Sequence, residues 1–188
     1  MSTLRLGTAR LELKPLPAHA AAALPEGREE ACRALDARLD AAWPDPGFLG
    51  VLRRQADMLA GTECFGVWVM IERNGDLVVG DIGFHEPPDG AGTVEIGYSV
   101  IPSRRRLGYA AEAANALVEW ALAQPGVRAV VAGCDPSNEP SIRTLERVGF
   151  RRSGEVNGEL RWRYDVRSPS APWGSSGVRR SPESGTGA

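Results

Sequence analysis

The chain has 188 residues, enough for one domain with a sizeable core and a short tail. Its 22 Lys and Arg against 24 Asp and Glu leave a net charge of -2, so no overall field favours nucleic acid or an anionic membrane. Three scattered cysteines, Cys32, Cys64 and Cys134, lack CxxC spacing; this argues against a disulfide framework or a zinc site and fits a reducing, cytoplasmic compartment. The N-terminus carries no apolar signal core and no apolar run approaches the ~18 residues of a membrane span, so a soluble protein is expected.

Leu4, Leu6, Ala9, Leu11 and Leu13, with polar residues between them, predict a first strand or hairpin that Pro15 and Pro17 end. From His19 to Thr62 the pattern is helical and broken, and two helices are expected. Cys32, Leu35 and Leu39 share one helical face, Trp43 to Gly47 reads as a turn, and Leu49, Leu52, Ala56 and Leu59 recur at helical spacing. Phe65 to Glu72 is rich in β-formers and reaches Asn74-Gly75, a hairpin signal, before Leu77 to Phe84 returns as the next strand. After a turn at Pro87-Pro88-Asp89-Gly90, Val94, Ile96, Tyr98 and Val100 point to one face of a strand and Glu95, Gly97 and Ser99 to the other.

Ala110, Ala113, Ala114, Leu117, Val118 and Ala121 then follow helical spacing until Gln124-Pro125-Gly126 stops them, and Val127 to Gly133 reads as a buried strand. Ser137 or Asn138 can cap the next helix, with Pro140 in its first turn and Gly149 as a left-handed C-cap that Phe150 closes. Arg151 to Val166 makes a last strand pair around Asn157-Gly158. From Arg167 onward Ser, Pro and Gly dominate and apolar residues are few, so residues 1–166 are expected to form the domain and 167–188 a disordered tail. Hairpins beside a strand-helix-strand crossover from Val94 to Gly133 give a mixed α/β (α+β) sheet.

The segment Arg104-Arg105-Arg106-Leu107-Gly108-Tyr109-Ala110 joins the end of a strand to the start of a long helix. A helix start exposes unpaired N–H groups and the positive end of the macrodipole, and a Gly-Tyr-Ala step keeps side chains small where a phosphate must approach the backbone. The residues Arg105-Arg106-Leu107-Gly108-Tyr109-Ala110 match the form Gln/Arg-x-x-Gly-x-Gly/Ala, and downstream come Asp135-Pro136-Ser137-Asn138-Glu139-Pro140-Ser141 and Leu145-Glu146-Arg147-Val148-Gly149-Phe150. On these residues the chain resembles the GNAT (Gcn5-related) N-acetyltransferase superfamily, in particular its Rim-type branch of ribosomal-protein and small-molecule N-acetyltransferases. The resemblance is carried by Val94 to Phe150, extends to Leu4–Gly83 through strand order, and is absent from the tail.

The resemblance implies a mostly antiparallel central sheet with one splayed parallel strand pair, flanked by helices. It implies acetyl-CoA as co-substrate, no metal, and direct transfer in a ternary complex to a primary amine on a small molecule or a protein N-terminus. The N–H groups of Leu107, Gly108, Tyr109 and Ala110 would cradle the CoA pyrophosphate, with Arg105 and Arg106 adding charge. Val100 and Ile101 would meet the pantetheine through their backbone, and Asn138 would hydrogen-bond it. Glu95 would act as general base on the amine, and Ser141 would lie near the thioester sulfur and return a proton to the leaving thiolate. Many relatives use a tyrosine for that proton, and no tyrosine occupies this helix.

Each residue also has a plainer reading. The loop can be a solvated basic turn, Glu95 a solvated strand carboxylate, and Asn138 and Ser141 simple helix caps. His19 and His85 read as surface histidines, Cys134 as a buried structural thiol, and Trp43, Trp68, Trp120 and Trp162 as core or pocket lining. The acceptor is expected against the first helices and the last strand pair, where Glu26, Glu29, Glu30, Asp36, Asp40, Asp45 and Asp57 form either an acidic rim for a cationic amine or a solvated face. Relatives often dimerise, and a homodimer stays open. A different class of function, a non-catalytic acyl-CoA-binding or interaction module of the same fold, is distinguished by the absence of amine-dependent CoA release. A nucleotide-binding regulator is disfavoured because the sequence has no Gly-x-x-x-x-Gly-Lys-Ser/Thr segment.

Overall fold

The first apolar alternation folds as a hairpin of β1 (Leu6–Gly7) and β2 (Leu11–Pro15), with Leu6 opposite Leu13. Residues 4–24, 27–45, 47–50, 52 and 63–165 are described by a computed structural model. Two short helices follow, α1 (Ala18–Ala23) and α2 (Glu29–Leu35). Leu39 does not continue the helical face of Cys32 and Leu35. Asp36 adopts a left-handed conformation (φ 49), its N–H closes the helix onto Cys32 and Arg33 carbonyls, and Arg38–Leu39 becomes β3, paired in parallel with a later strand. Helical spacing in the sequence therefore survives here across a true stop, because an aspartate tolerates the left-handed cap that glycine usually supplies. Residues 47–50 and 52 are helical; the expected helical positions Ala56 and Leu59 lie outside the described residues, as does the tail.

The two apolar runs around Asn74-Gly75 form β4 (Val67–Glu72) and β5 (Leu77–Phe84), with the left-handed backbone of the turn supplied by Gly75 (φ 113) and Asp76 (φ 49). Strand β6 (Thr93–Val100) returns antiparallel to β5. A short 3-10 turn, Pro102–Arg104, then leads through the basic loop into α3 (Tyr109–Leu122), β7 (Ala129–Cys134) and α4 (Glu139–Val148). The chain closes on β8 (Arg151–Val156) and β9 (Glu159–Asp165), joined through Asn157 and Gly158, both at positive φ, the backbone a two-residue hairpin turn requires.

Among the described residues the strands form one sheet in the order β1-β2-β4-β5-β6-β7-β9-β8, with β3 added on β5. The sheet is mostly antiparallel. Its central pair, β6 and β7, runs parallel, as the intervening crossover helix demands. Alternation decides what each face carries. Trp68, Ile82 and Tyr98 stand in one cross-strand row, on the face where α3 lays Trp120 against Trp68, with ring centroids 5.2 Å apart. Phe65 and Phe84 complete that aromatic cluster. Ala113, Ala114, Leu117, Val118 and Ala121 are the buried stripe of α3, and burying one side chain the size of Leu117 contributes roughly 2 kcal/mol. The opposite face carries the row Lys14, Val69, Asp81 and Ser99. There Lys14 Nζ donates to the last carbonyl of α2, at Leu35, and the Trp43 indole N–H donates to Asp81.

Candidate active site

The parallel ladder between β6 and β7 ends at Ile96 opposite Ala132, although β6 runs on to Val100 and β7 to Cys134. Beyond that point β7 pairs only with β9, so the two parallel strands part. The antiparallel register with β5, fixed by the bonds from His85 N–H to the Glu95 carbonyl and from Ile101 N–H to the Val79 carbonyl, turns the backbone polar groups of Tyr98 and Val100 away from β5. They face the gap. A linear chain laid between the strands would find there the hydrogen bonds that a strand would otherwise make. Val100 is available to it through its N–H, since its carbonyl accepts from Arg105 Nε at 2.9 Å. Ile101 is turned elsewhere: its N–H goes to Val79 and its carbonyl accepts from Arg104. On the helix side of the gap the Tyr98 hydroxyl donates to the Ser141 carbonyl at 3.3 Å, and burial pushes that phenol up to about 12.

The basic loop lies directly beyond the gap. Arg106 (φ 64) and Gly108 (φ 85) both adopt left-handed backbone, and among the described residues no side chain caps the start of α3. Gly108 is small where a phosphate must approach, and its conformation adds a second reason for glycine, since a side chain there is strained whatever the space. A Cβ built on Gly108 would sit 3.5 Å from the Arg10 guanidinium and 3.8 Å from that of Arg147, so cations from the β1–β2 turn and from α4 gather over the glycine. Neither arginine is near the loop in sequence, which is why spacing missed them. Arg10 donates to the Leu107 carbonyl at 2.9 Å, lies 4.6 Å over the Tyr109 ring, and pairs with Glu112 at 2.7 Å. Burial opposes ionisation of Glu112, but bonds from Thr8 and Arg10 outweigh it and hold the carboxyl below its ordinary range. The Tyr109 hydroxyl bonds Glu72, which keeps the phenol protonated above its usual range. Uncapped N–H groups, a backbone that only glycine adopts freely and the two guanidinium groups of Arg10 and Arg147 fit a pyrophosphate.

On the other face of the gap lies Glu95, opposite Val131 and inside the part of β6 that is still paired. Its Oε2 accepts from Arg161 Nη2 at 2.8 Å, and Arg161 also reaches Glu159 at 3.2 Å. His85, exposed but not isolated, places Nδ1 3.8 Å from Glu95 Oε1. Two glycines make room for this cluster: a Cβ at Gly97 would meet His85 Nε2 at 2.8 Å, and one at Gly133 would meet Arg161 Nη1 at 2.7 Å. Farther along the same face, Asp81 is buried and accepts from Ser99 Oγ at 2.7 Å and Trp43 Nε1 at 2.8 Å. Asn138 caps α4 through its Oδ1, which accepts from the Ser141 N–H at 3.2 Å. Its amide nitrogen and the Ser141 hydroxyl stand at the same helix start. Thus Val100, Ser141 and Asn138 gather at the gap and Leu107 to Ala110 beside it, while Glu95 stands on the far face in an ion pair that sequence spacing gave no means of foreseeing. Cys134 is buried.

The description "Acetyltransferase (GNAT) domain" belongs to the family whose model matches residues 10–151, and the chain belongs to that acetyltransferase family. It is 32% identical over 148 residues to the uncharacterised N-acetyltransferase YjdG of Bacillus subtilis, a match covering 77% of this chain and 88% of that protein. Among solved structures it resembles Mycobacterium smegmatis RimJ in complex with CoA-disulfide, with a TM-score of 0.60 and 23% identity over 93% of this chain and 92% of that one. It likewise resembles the ribosomal-protein-S5-alanine acetyltransferase of Vibrio fischeri, with a TM-score of 0.62 and 16% identity over 86% and 96%. No helix among the described residues is long and apolar enough to cross a membrane, and no group of three or more His, Cys, Asp or Glu among them could hold a metal ion.

Proposed function

We propose that this chain is an acetyl-CoA-dependent N-acetyltransferase that moves the acetyl group directly to a primary amine, on a small molecule or a protein N-terminus, within a ternary complex. The observation that carries this reading is the continuity of the opened β6–β7 gap with the uncapped start of α3. A long ligand with an anionic end and an amide-bearing arm fits both at once. Acetyl-CoA would supply the acyl group as a thioester. The N–H groups of Leu107 to Ala110 would hold its pyrophosphate, with Arg105, Arg106, Arg10 and Arg147 neutralising charge. The Val100 backbone and the Asn138 amide would align the pantetheine. Ser141, on the first turn of α4, would return a proton to the departing sulfur.

Glu95 would meet the acceptor on the other face and draw its ammonium toward the gap. An amine arriving there competes with Arg161, which already occupies Oε2. The Rim-type names among the structural relatives support a protein N-terminus, and the mixture of Glu95, Glu159, Arg161 and His85 on that face supports an acceptor with polar groups beside its amine. Calorimetric titration of acetyl-CoA, followed in the same sample by thiol release against a panel of peptide and small amines, tests the reading. Micromolar binding with amine-dependent release is expected. Binding with no release from any amine would favour the non-catalytic module, and no binding would remove the loop from the site.

A further inference from the structure

Asp81 is an acidic side chain in the middle of an otherwise apolar strand, 4% exposed, and among the described residues its environment is not that of a structural ion pair. Among the described residues no cation pairs with it. Lys14, in the same cross-strand row, turns its ammonium to the Leu35 carbonyl and to Glu12. Asp45 adds a second negative charge from beyond Trp43, and His85 and Glu95 stand farther along the same face. Among the described residues two donors reach Asp81, Ser99 Oγ and Trp43 Nε1, and both bond Oδ2. Burying a carboxylate without a cation is costly, and a fastener for an indole N–H does not need one. Burial accordingly lifts its pKa from 3.8 to about 6, where it can exchange a proton near neutral pH.

Ser99 connects this carboxyl to the site. It is only partly buried, directly opposite Asp81, and lies in the part of β6 beyond Ile96 where β7 has departed. It is four residues past Glu95, roughly 13 Å farther along the strand at ~3.3 Å per residue. Its neighbours Tyr98 and Val100 are the residues whose backbone faces the gap.

We propose that Ser99 and Asp81 form the route by which the acceptor ammonium loses its proton, an inference that rests on the transferase reading above. The Ser99 hydroxyl passes its proton to Asp81 Oδ2 as it takes one from the ammonium, leaving a neutral amine and a protonated carboxyl. The amine lone pair forms the new N–C bond at the thioester carbonyl and the C–S bond breaks. The second proton lost by nitrogen ends on the thiol sulfur, and Asp81 releases the first to solvent. Ser99 is the group that touches the substrate, and Asp81 acts through it.

The test is the pH dependence of thiol release at saturating acetyl-CoA in the wild type and in Ser99→Ala, Ser99→Thr, Asp81→Asn and Glu95→Gln, with acetyl-CoA affinity measured on each protein. Ser99→Ala leaves the Trp43–Asp81 bond in place, so it separates chemistry from folding. The expected result is a fall in kcat of about a hundredfold in Ser99→Ala and Asp81→Asn. Acetyl-CoA affinity should be unchanged, and the acid limb replaced by a rate that climbs about tenfold per pH unit with the free-amine fraction. Ser99→Thr should recover most of the rate. Wild-type kcat and acid limb in Ser99→Ala, or loss of that limb in Glu95→Gln alone, overturns the proposal and leaves the transferase reading standing. A wild type that binds acetyl-CoA but releases no thiol to any amine removes both.

Discussion

At the scale of single residues, backbone conformation matters as much as side-chain chemistry. Gly108 holds φ 85 at the start of α3, where an L side chain costs on the order of 1–3 kcal/mol in strain, and the space beyond its Cα already contains two guanidinium groups. Gly108→Val is therefore expected to raise the acetyl-CoA dissociation constant by more than about tenfold while far-UV circular dichroism stays native. Unaltered affinity in that folded variant would take the loop out of the site. Gly108 was legible in the sequence because its spacing from Arg105 and its place before a helix pattern carry the signal. Asp81 left a signal too, a carboxylate interrupting the apolar run Leu77 to Phe84, but nothing local says that Ser99 and Trp43 meet it. Its meaning lies in cross-strand register, which pattern does not contain.

At the scale of elements, the β1–β2 hairpin serves the loop as well as the sheet. Through Arg10 it bonds the Leu107 carbonyl, covers Tyr109 and engages Glu112 on the first turn of α3. Arg10→Ala removes all three contacts, and it is expected to weaken acetyl-CoA binding by about tenfold, equivalent to about 1.4 kcal/mol. Arg10→Lys keeps the charge without the planar fork, so it should recover part of the affinity at most. If Lys restores binding fully, charge alone explains the role of Arg10; if Ala changes nothing, the hairpin does not order the loop. The elements themselves were largely readable: β4 to β9, α3 and α4 follow from period, Gly and Pro punctuation and the Asn138 cap. Leu39 keeps helical spacing in the sequence yet lies in a strand, because Asp36 ends α2 by a left-handed turn that leaves the apolar spacing intact.

At the scale of the whole molecule, the buried carboxyl ties acid–base behaviour to the stability of the sheet. Asp81 has a folded-state pKa of about 6 against 3.8 for the free side chain, so between those values the folded protein binds the proton and the unfolded chain does not. Folding is thus favoured by this group at low pH, and its contribution falls as pH rises from 3.8 to about 6, beyond which both states are ionised and the cost is constant. The full change corresponds to about 3 kcal/mol. Asp81→Asn cannot titrate yet can still accept from the Trp43 indole and Ser99. Urea unfolding of the two proteins from pH 4 to pH 7 should therefore show the wild type losing up to about 3 kcal/mol relative to the variant as pH rises, the reverse of the slope a salt-bridged carboxylate gives. A difference that is flat with pH would mean that Asp81 is as well solvated by its partners in the fold as in water. That would leave Ser99 without the tuned acceptor on which the proton route depends.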